Sequence, residues 1–382
     1  MLRRVLSIAV CVLGLAACAG VPTGMSVPQL PWRDAAFGYD GAPVAVSREE
    51  LFRLDPQLLE RLQAQVPATL STGQRLKALL ATVFGPDGHG FSYAAGHSTT
   101  AAQTWRLQRG DCLSLTVLTY AVARALNMAA QMQEVPTPVL YDRRGGLDFV
   151  NQHVNVLFQR AHRTPMEGTG FRDVIVDFEP DLASARAGLV LSEDAILARY
   201  YNNIAAEHLA DGSSALAYAH FKAAILADPA YAASYGNLAV LYRGAGLAAE
   251  AEQLLRHALA RANPPDVPLH GLYQLLLAQG RDAEAEHYAQ LLQARQSRDP
   301  YHWISLGFRH LQEGDWRGAI AALERAQGMV SGFPEVHRYL ALAYWRAGEP
   351  ALANEQLARL ASLAGTDAAV SSLSRKFNPD RH

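Results

Sequence analysis

The chain has 382 residues, and its 34 Lys and Arg against 36 Asp and Glu give a formal net charge of −2 at pH 7. A weakly acidic chain with interspersed charges lacks the basic surface that binds nucleic acid, so no nucleic-acid partner is expected. The length exceeds what one compact core usually holds, which predicts two folded domains.

Residues 1–17 have the pattern of a secretory targeting segment. Two arginines precede an apolar run that is too short to span a membrane. The run ends in LAAC, which resembles the lipobox of bacterial lipoproteins. That resemblance implies cleavage before Cys18, acyl chains such as palmitate on Cys18, and a lipid anchor in the cell envelope. Ala19 favours the periplasmic face of the outer membrane. The alternative is an ordinary secretory signal in which Cys18 is incidental.

The chain contains three cysteines, Cys11, Cys18 and Cys112. Cleavage would remove Cys11 together with the two arginines, which takes the formal charge from −2 to −4. Acylation would use Cys18, so Cys112 would be the free thiol of the mature chain. In an oxidising compartment a lone thiol is either buried and inert or retained for its reactivity.

Residues 18–45 are rich in Pro and Gly and predict a lipidated tether. Residues 46–190 predict helices followed by antiparallel strands, which is typical of an α+β domain. The capping box SREE starts the first of these helices. Apolar residues alternate in AAQMQEV, HVNVLFQR and DVIVDFEP, which predicts three strands. The predicted helices cover about 48–65, 73–84, 100–107 and 112–126.

A period of 34 residues governs the rest of the chain. It relates Tyr201, Tyr235, Leu269, Trp303 and His337, and it also relates Ala217, Ala251, Ala285, Ala319 and Ala353. Five units with these large and small positions resemble the tetratricopeptide repeat (TPR). The resemblance implies an all-α superhelix of paired helices over residues 199–366. Residues 367–382 are expected to form a short cap or tail.

Cys112 lies at the start of a predicted helix, where unpaired N–H groups and the helix dipole favour an anion such as a thiolate. A nucleophilic thiol also needs a base, and the base needs an orienting group. His153 begins one predicted strand and Asp177 ends the next, so antiparallel pairing would bring them together. Asp173 and Glu179 are the alternatives to Asp177.

The segments RGDCLSLTVLTYAVARAL, HVNV and VDFEP resemble the three motifs of the transglutaminase-like superfamily of papain-like cysteine enzymes. The resemblance implies a transglutaminase-like domain in which Cys112 is the nucleophile, His153 the general base and acid, and Asp177 the group that orients the imidazole. The backbone N–H of Cys112 would be one oxyanion donor. Gln103 and Gln108 are candidates for the second donor.

Other chemistry has little support in the sequence. His97 and His162 are interpreted as solvated loop residues. No paired Cys or His spacing indicates a metal site, and no glycine-rich loop indicates a phosphate site, so no cofactor is expected.

The repeats predict a groove for a protein or peptide partner, since mixed aromatic and basic side chains suit a peptide segment. The alternative is that its aromatic residues simply pack between repeats. The predicted groove residues are Asn202, Arg243, His270, Tyr301, Phe308, Arg338 and Trp345.

Two hypotheses of function follow. The first is a membrane-anchored cysteine hydrolase or acyltransferase that acts on amide or peptide bonds through a thioester, with hydrolysis favoured. The second is a non-catalytic scaffold lipoprotein in which the repeats bind partners and the first domain only retains its fold.

Overall fold

The structure is a computed structural model, described here for residues 30–42, 44–85, 90–94, 96–144, 147–159, 173–178, 188–263, 265–329 and 333–364. Side chains are described for these residues except 136–144, 147–152, 296 and 364. The predicted signal peptide, Cys18 and the predicted tail at 367–382 lie outside the described residues.

The described part of the chain begins with a short 3-10 helix at Asp34–Phe37 and continues with helices and short strands. The strands are β1 Ser92–Tyr93, β2 Arg109–Gly110, β3 Ala130–Arg144, β4 Leu147–Phe158, β5 Val174–Val176 and β6 Leu189–Leu191. The first five helices are α1 Arg48–Leu51, α2 Pro56–Gln65, α3 Thr72–Phe84, α4 Ala101–Leu107 and α5 Cys112–Ala125. The other ten are α6 Glu193–Ala210, α7 Ser214–Ala227, α8 Ala232–Gly244, α9 Ala248–Leu259, α10 Asp266–Ala278, α11 Asp282–Gln296, α12 Pro300–Glu313, α13 Trp316–Met329, α14 Pro334–Arg346 and α15 Pro350–Ala364.

The helix predicted at about 48–65 is two helices in the structure. α1 ends at Leu51, and α2 begins at Pro56 after the cap residue Asp55, whose side chain accepts a hydrogen bond from the Gln57 N–H. Proline at the first helical position lacks the N–H that a continuing helix would need, so it starts a helix rather than extending one. The other three predicted helices agree with α3, α4 and α5 to within one residue at either end.

A four-stranded antiparallel sheet follows these helices, with the order β5-β4-β3-β6. β3 and β4 form a hairpin that is longer than the strands expected from the sequence. Its pairing runs from Ala130 opposite Phe158 to Arg144 opposite Leu147, with a shift of register between Val135 and Leu140. Helices and a few strands are thus present in this part of the chain, and a transglutaminase-like domain stays a prediction.

α5 packs against β4 and β3. Val154, Val156 and Phe158 alternate along β4 and are at most 1% exposed, and they share a core with the apolar residues of α5. The first repeat helix also contributes to this core through residues such as Ile196 and Tyr200. The sheet, α5 and the start of the repeats are therefore one packed unit.

α6 to α15 form five consecutive helix pairs, as the 34-residue period predicts. The five alanines of the small position have no exposed surface, because the two helices of each pair cross there. A glycine with a positive φ of 70 to 83° closes the turn within every pair, and a side chain would strain that left-handed conformation. These turn residues are Gly212, Gly246, Gly280, Gly314 and Gly348.

Residues 30–39 pack onto the first two repeats, although the sequence predicts a tether for this segment. Phe37 is 7% exposed and stacks on Tyr218 and Tyr242 at ring distances of 4.8 and 5.5 Å. Asp34 accepts hydrogen bonds from Lys222 Nζ and the Tyr218 hydroxyl at 2.7 and 2.6 Å. Aromatic stacking and charge-assisted hydrogen bonds thus hold the segment in place.

A search of the described helices for a membrane span gives a negative result. None of them combines the length and the apolar character needed to cross a bilayer.

Candidate active site

Cys112 is the first residue of α5 and is half-buried. Asp111 caps the helix, since its Oδ1 accepts hydrogen bonds from the Ser114 N–H at 2.7 Å and from the Ser114 hydroxyl at 2.6 Å. The thiol therefore lies at a capped helix N-terminus, where the aligned peptide dipoles stabilise a negative charge.

The helix face that carries the cysteine lies on the histidine strand. Thr116 follows Cys112 by four residues, which puts both side chains on one face of α5. The Thr116 hydroxyl donates a hydrogen bond to the Val154 carbonyl at 3.2 Å. Val154 is the immediate neighbour of His153, so this bond ties the first turns of α5 to the part of β4 that carries the imidazole.

His153 and Asp177 are in direct contact. His153 Nε2 lies 2.8 and 2.9 Å from the two carboxylate oxygens of Asp177, and both side chains are at most 8% exposed. The register explains the contact: Val176 pairs with Val156, so Asp177 follows β5 beside Asn155 on the face that His153 also occupies. Because Nε2 contacts the Asp177 carboxylate, Nδ1 is the nitrogen that would exchange a proton with a thiol.

Asn155 is a third member of this group that the sequence analysis did not identify. Its Nδ2 donates a hydrogen bond to Asp177 Oδ2 at 2.7 Å, and the residue has no exposed surface. The imidazole of His153 and the amide of Asn155 thus both hold the Asp177 carboxylate in place. The HxN spacing in HVNV was the available signal, because residues two apart in a strand point to the same face.

A buried polar network fixes the loop before the cysteine. The Ser98 hydroxyl donates to Asp111 Oδ2 at 2.6 Å, and the Thr99 N–H donates to the Ser114 hydroxyl at 2.8 Å. Gly110 is buried against the same group, and a Cβ there would come within 2.8 Å of the Ser114 Cβ. A glycine two residues before the cysteine is therefore needed for this close approach to α5.

The two glutamines proposed as oxyanion donors lie on α4 and at its end, and both are exposed. Gln103 Oε1 accepts a hydrogen bond from the Thr100 N–H at 3.0 Å and completes the capping box of α4. Gln108 caps the other end with a φ of 48° and borders an open cleft of about 600 Å³. The cleft is lined by Asp55, Pro56, Gln57, Arg61, Trp105, Arg106 and Gln108.

Of the remaining candidates, two are exposed and two lie outside the described residues. Asp173 is exposed and precedes β5, while His97 is exposed with its Nδ1 3.5 Å from Glu207. Glu179 and His162 lie outside the described residues. Among the described side chains, no group of three His, Cys, Asp or Glu residues has the arrangement of a metal site.

Comparison with known proteins finds a family match near the end of the chain. The model of the tetratricopeptide repeat family matches residues 310–377. The match begins within α12, covers α13 to α15 and continues past the described residues, and the same 34-residue unit recurs through all five helix pairs. Residues 310–377 thus match tetratricopeptide repeats, and α6 to α12 continue the same 34-residue pattern of helix pairs.

Solved structures show a weak likeness to this TPR array. Pseudomonas aeruginosa pilF is 19% identical with a TM-score of 0.27, over 49% of this chain and 86% of that one. YrrB, described as a TPR protein with an unusual peptide-binding site, is 17% identical with a TM-score of 0.26, over 47% and 92%. PilW, a type IV pilus biogenesis factor, is 19% identical with a TM-score of 0.28, over 48% and 84%. No functionally curated protein matches the chain.

The predicted groove residues of the TPR array differ in their surroundings. Arg243 and His270 are exposed, whereas Asn202 is 5% exposed and accepts a hydrogen bond from Asn237 at 2.9 Å. Strand β3 lies against α12, so part of the array already contacts the sheet. Four half-buried members contact neighbouring aromatic or basic side chains: Tyr301 with Phe333, Phe308 with Tyr339, Arg338 with Tyr339, and Trp345 with Arg346.

Proposed function

We propose that this chain is a membrane-anchored cysteine hydrolase or acyltransferase that acts on amide or peptide bonds. The observation that carries the proposal is the buried contact of His153 and Asn155 with Asp177, in which the first two residues lie on the strand that packs against the helix that Cys112 begins. A buried carboxylate on one nitrogen of a histidine orients the ring and stabilises the imidazolium. The resemblance of the three motifs to the transglutaminase-like superfamily supports the same assignment.

The proposed reaction has two stages. His153 Nδ1 takes the thiol proton, and the Cys112 sulfur attacks the carbonyl carbon. The backbone N–H of Cys112 would stabilise the oxyanion, and the imidazolium returns the proton to the departing amine, which leaves a thioester on sulfur. Water then attacks the thioester with its proton passing to His153, and an acid leaves as the thiol is regenerated. An amine in place of water would give transfer, and hydrolysis is the favoured outcome.

The TPR array supplies a second activity in this proposal, the binding of a protein or peptide partner. Arg243 and His270 are exposed at its inner-helix positions and offer cationic and hydrogen-bonding contacts to a peptide. The lipobox-like LAAC segment supports acylation of Cys18 and a position on the periplasmic face of the outer membrane. The repeats would then hold partners close to the thiol and to the membrane.

Alkylation of the thiol tests the catalytic part directly. At pH 6 the wild-type protein should react with iodoacetamide at least about tenfold faster than a free cysteine peptide, since a lowered thiol pKa increases the thiolate fraction. The variant His153→Ala should lose this acceleration. His97→Ala removes an exposed histidine at a loop and should react like the wild type, while Cys112→Ser gives the background rate.

A non-catalytic scaffold is the second candidate, and the TPR array is the observation that favours it. On this hypothesis a partner co-purifies in stoichiometric amount with the wild type and equally with Cys112→Ala, and the two proteins have the same cellular phenotype. If the alkylation rate of the wild type is no higher than that of the free cysteine peptide, the scaffold hypothesis is favoured.

A further inference from the structure

Residues 30–39 contact the first two repeats as a bound peptide does, because side chains of the repeats also bond the main chain of the segment. The Tyr242 hydroxyl donates to the Pro31 carbonyl at 2.9 Å, and the Arg33 N–H donates to the Tyr218 hydroxyl at 3.1 Å. Both tyrosines are fully buried. The segment is therefore held by its backbone as well as by its side chains.

Lys222 of α7 lies at the centre of this contact. Its Nζ is 2.7 Å from Asp34 Oδ1, and it is 5.1 and 4.9 Å from the ring centroids of Trp32 and Tyr39. The ring of Tyr218 adds a third aromatic neighbour at 5.9 Å. A carboxylate and the faces of aromatic rings both stabilise an ammonium group, so three residues of the segment surround one lysine of the array.

Two further contacts extend the docked surface over both repeats. Arg33 Nε donates to Glu250 Oε1 on α9 at 2.8 Å. The Phe37 ring belongs to the same apolar core as the repeats, where it stacks on tyrosines of α7 and α8. The segment thus contacts α7, α8 and α9, and these three helices provide its contacts only when the first two repeats are packed together.

The chain is held a second time just before α1. Val44 and Val46 pack against the core beneath the cysteine helix, and the Val46 carbonyl accepts a hydrogen bond from the Tyr201 hydroxyl. If residues 30–39 left the repeats, Val44 would become the first residue that the fold holds. The docked segment and Val44 are therefore two successive attachment points of the N-terminal chain.

We propose that residues 30–39 are a strap that sets how far the folded body can lie from the membrane. The inference rests on the proposed function, since it takes Cys18 as the lipid anchor. Leu30 is 12 residues after Cys18 (30 minus 18), and an extended residue spans at most about 3.6 Å, so the docked strap limits this distance to about 43 Å.

Release of the strap moves the limit to Val44, which is 26 residues after Cys18 (44 minus 18) and can lie at most about 94 Å away. Docking thus reduces the greatest distance between the membrane and the folded body by roughly half. The contact of the strap with the repeats therefore controls where the thiol and the TPR array can act.

Single-molecule force spectroscopy measures this release directly and needs no membrane. The chain from Cys18 to His382 carries Cys112→Ser and Ala283→Cys, so the handles attach only at Cys18 and at an exposed position of α11. Release of the strap should add up to about 50 Å of contour length, the span of the 14 residues from Leu30 to Val44 (44 minus 30). Unfolding of one helix pair would add about 120 Å instead.

Three variants identify the origin of the short event. Phe37→Ala removes the ring stacks, so the event should disappear in at least about nine of ten molecules, because loss of a buried aromatic ring is strongly destabilising. Asp34→Lys leaves the apolar core unchanged and puts a like charge beside Lys222, so it should lower the release force. Asp40→Ala is the matched control and should keep the wild-type force, since Asp40 bonds only the Ala42 N–H among its described contacts.

A wild type that shows no event shorter than the unfolding of a helix pair would overturn the inference. A short event at the wild-type force in both Phe37→Ala and Asp34→Lys would also overturn it. Thermal unfolding of each variant verifies that the array is intact. These outcomes do not depend on catalysis, because Cys112 is replaced, or on acylation of Cys18, which mass spectrometry of the protein from cell membranes decides separately.

Discussion

At the scale of single residues, the orientation of His153 depends on neighbours from two strands. Asp177 bonds one nitrogen of the imidazole, and Asn155, two residues further along β4, holds the carboxylate. The sequence predicts the contact of His153 with Asp177 because their strand positions follow from alternation. It does not predict the contact of Asn155 with the carboxylate, because the HxN spacing places the amide on the same face as His153 but does not say which group the amide bonds.

Gly110→Ala is predicted to destabilise the protein by about 1–3 kcal/mol, as overpacking of a tight core does. The new Cβ would lie 2.8 Å from the Ser114 Cβ and 3.2 Å from Thr104 Cγ2. Displacement of Ser114 also disturbs the cap that Asp111 makes at the cysteine helix. Urea denaturation monitored by circular dichroism measures the loss.

Gly236→Ala is the control for this substitution. Gly236 lies within α8 and has no neighbouring atom within 4 Å of an added Cβ. Alanine should therefore raise the free energy of unfolding, by up to about 1 kcal/mol from helix propensity. Equal losses in the two variants would contradict the packing argument at Gly110.

At the scale of elements, local sequence signals predict most of the helices. Tertiary contacts accompany the places where the structure differs from the prediction. The break between α1 and α2 has a local cause in Asp55 and Pro56. The length of the β3–β4 hairpin has no local signal in the sequence. α12 lies against β3, and the two elements are more than 150 residues apart in sequence. Composition likewise does not predict that residues 30–39 pack on the repeats, because a segment rich in Pro and Gly can be either packed or free.

The docked segment provides a prediction with a pH dependence. Burial opposes ionisation of Asp34, but hydrogen bonds from Lys222 and Tyr218 outweigh it and lower the pKa of the carboxyl below 3.8. A carboxyl with a lowered folded-state pKa stabilises the folded state above its unfolded pKa, and this contribution is lost as the pH falls through the lower value.

Asp34→Asn should therefore cost stability at pH 7, by less than about 1 kcal/mol because the carboxylate is partly exposed and screened. The difference from the wild type should shrink below pH 3.8. Limited proteolysis within residues 30–42 at pH 7 should also become faster. Asp40→Asn is the matched control, since Asp40 bonds only the nearby Ala42 N–H among its described contacts. A constant difference between pH 3 and pH 7 would argue against the ionic contact.

At the scale of the whole molecule, the two halves differ in how far the sequence predicts them. The TPR array is confirmed, because a repeat of 34 residues fixes helix pairs, turns and small positions together. The relation of the array to the rest of the chain does not follow from any repeat. α6 belongs at once to the first repeat and to the core beneath the cysteine helix, and only packing reveals this double role. The transglutaminase-like assignment and the lipid anchor stay predictions.

The most direct test of the account is capture of the acyl intermediate on Cys112. The full chain is incubated with an activated acyl ester, and the intact mass and the modified residue are determined by mass spectrometry. The account predicts one acyl group on Cys112 that forms quickly in the wild type, slowly in His153→Ala and Asp177→Asn, and not at all in Cys112→Ser. Acylation of the wild type at the rate of the His153→Ala variant would contradict it.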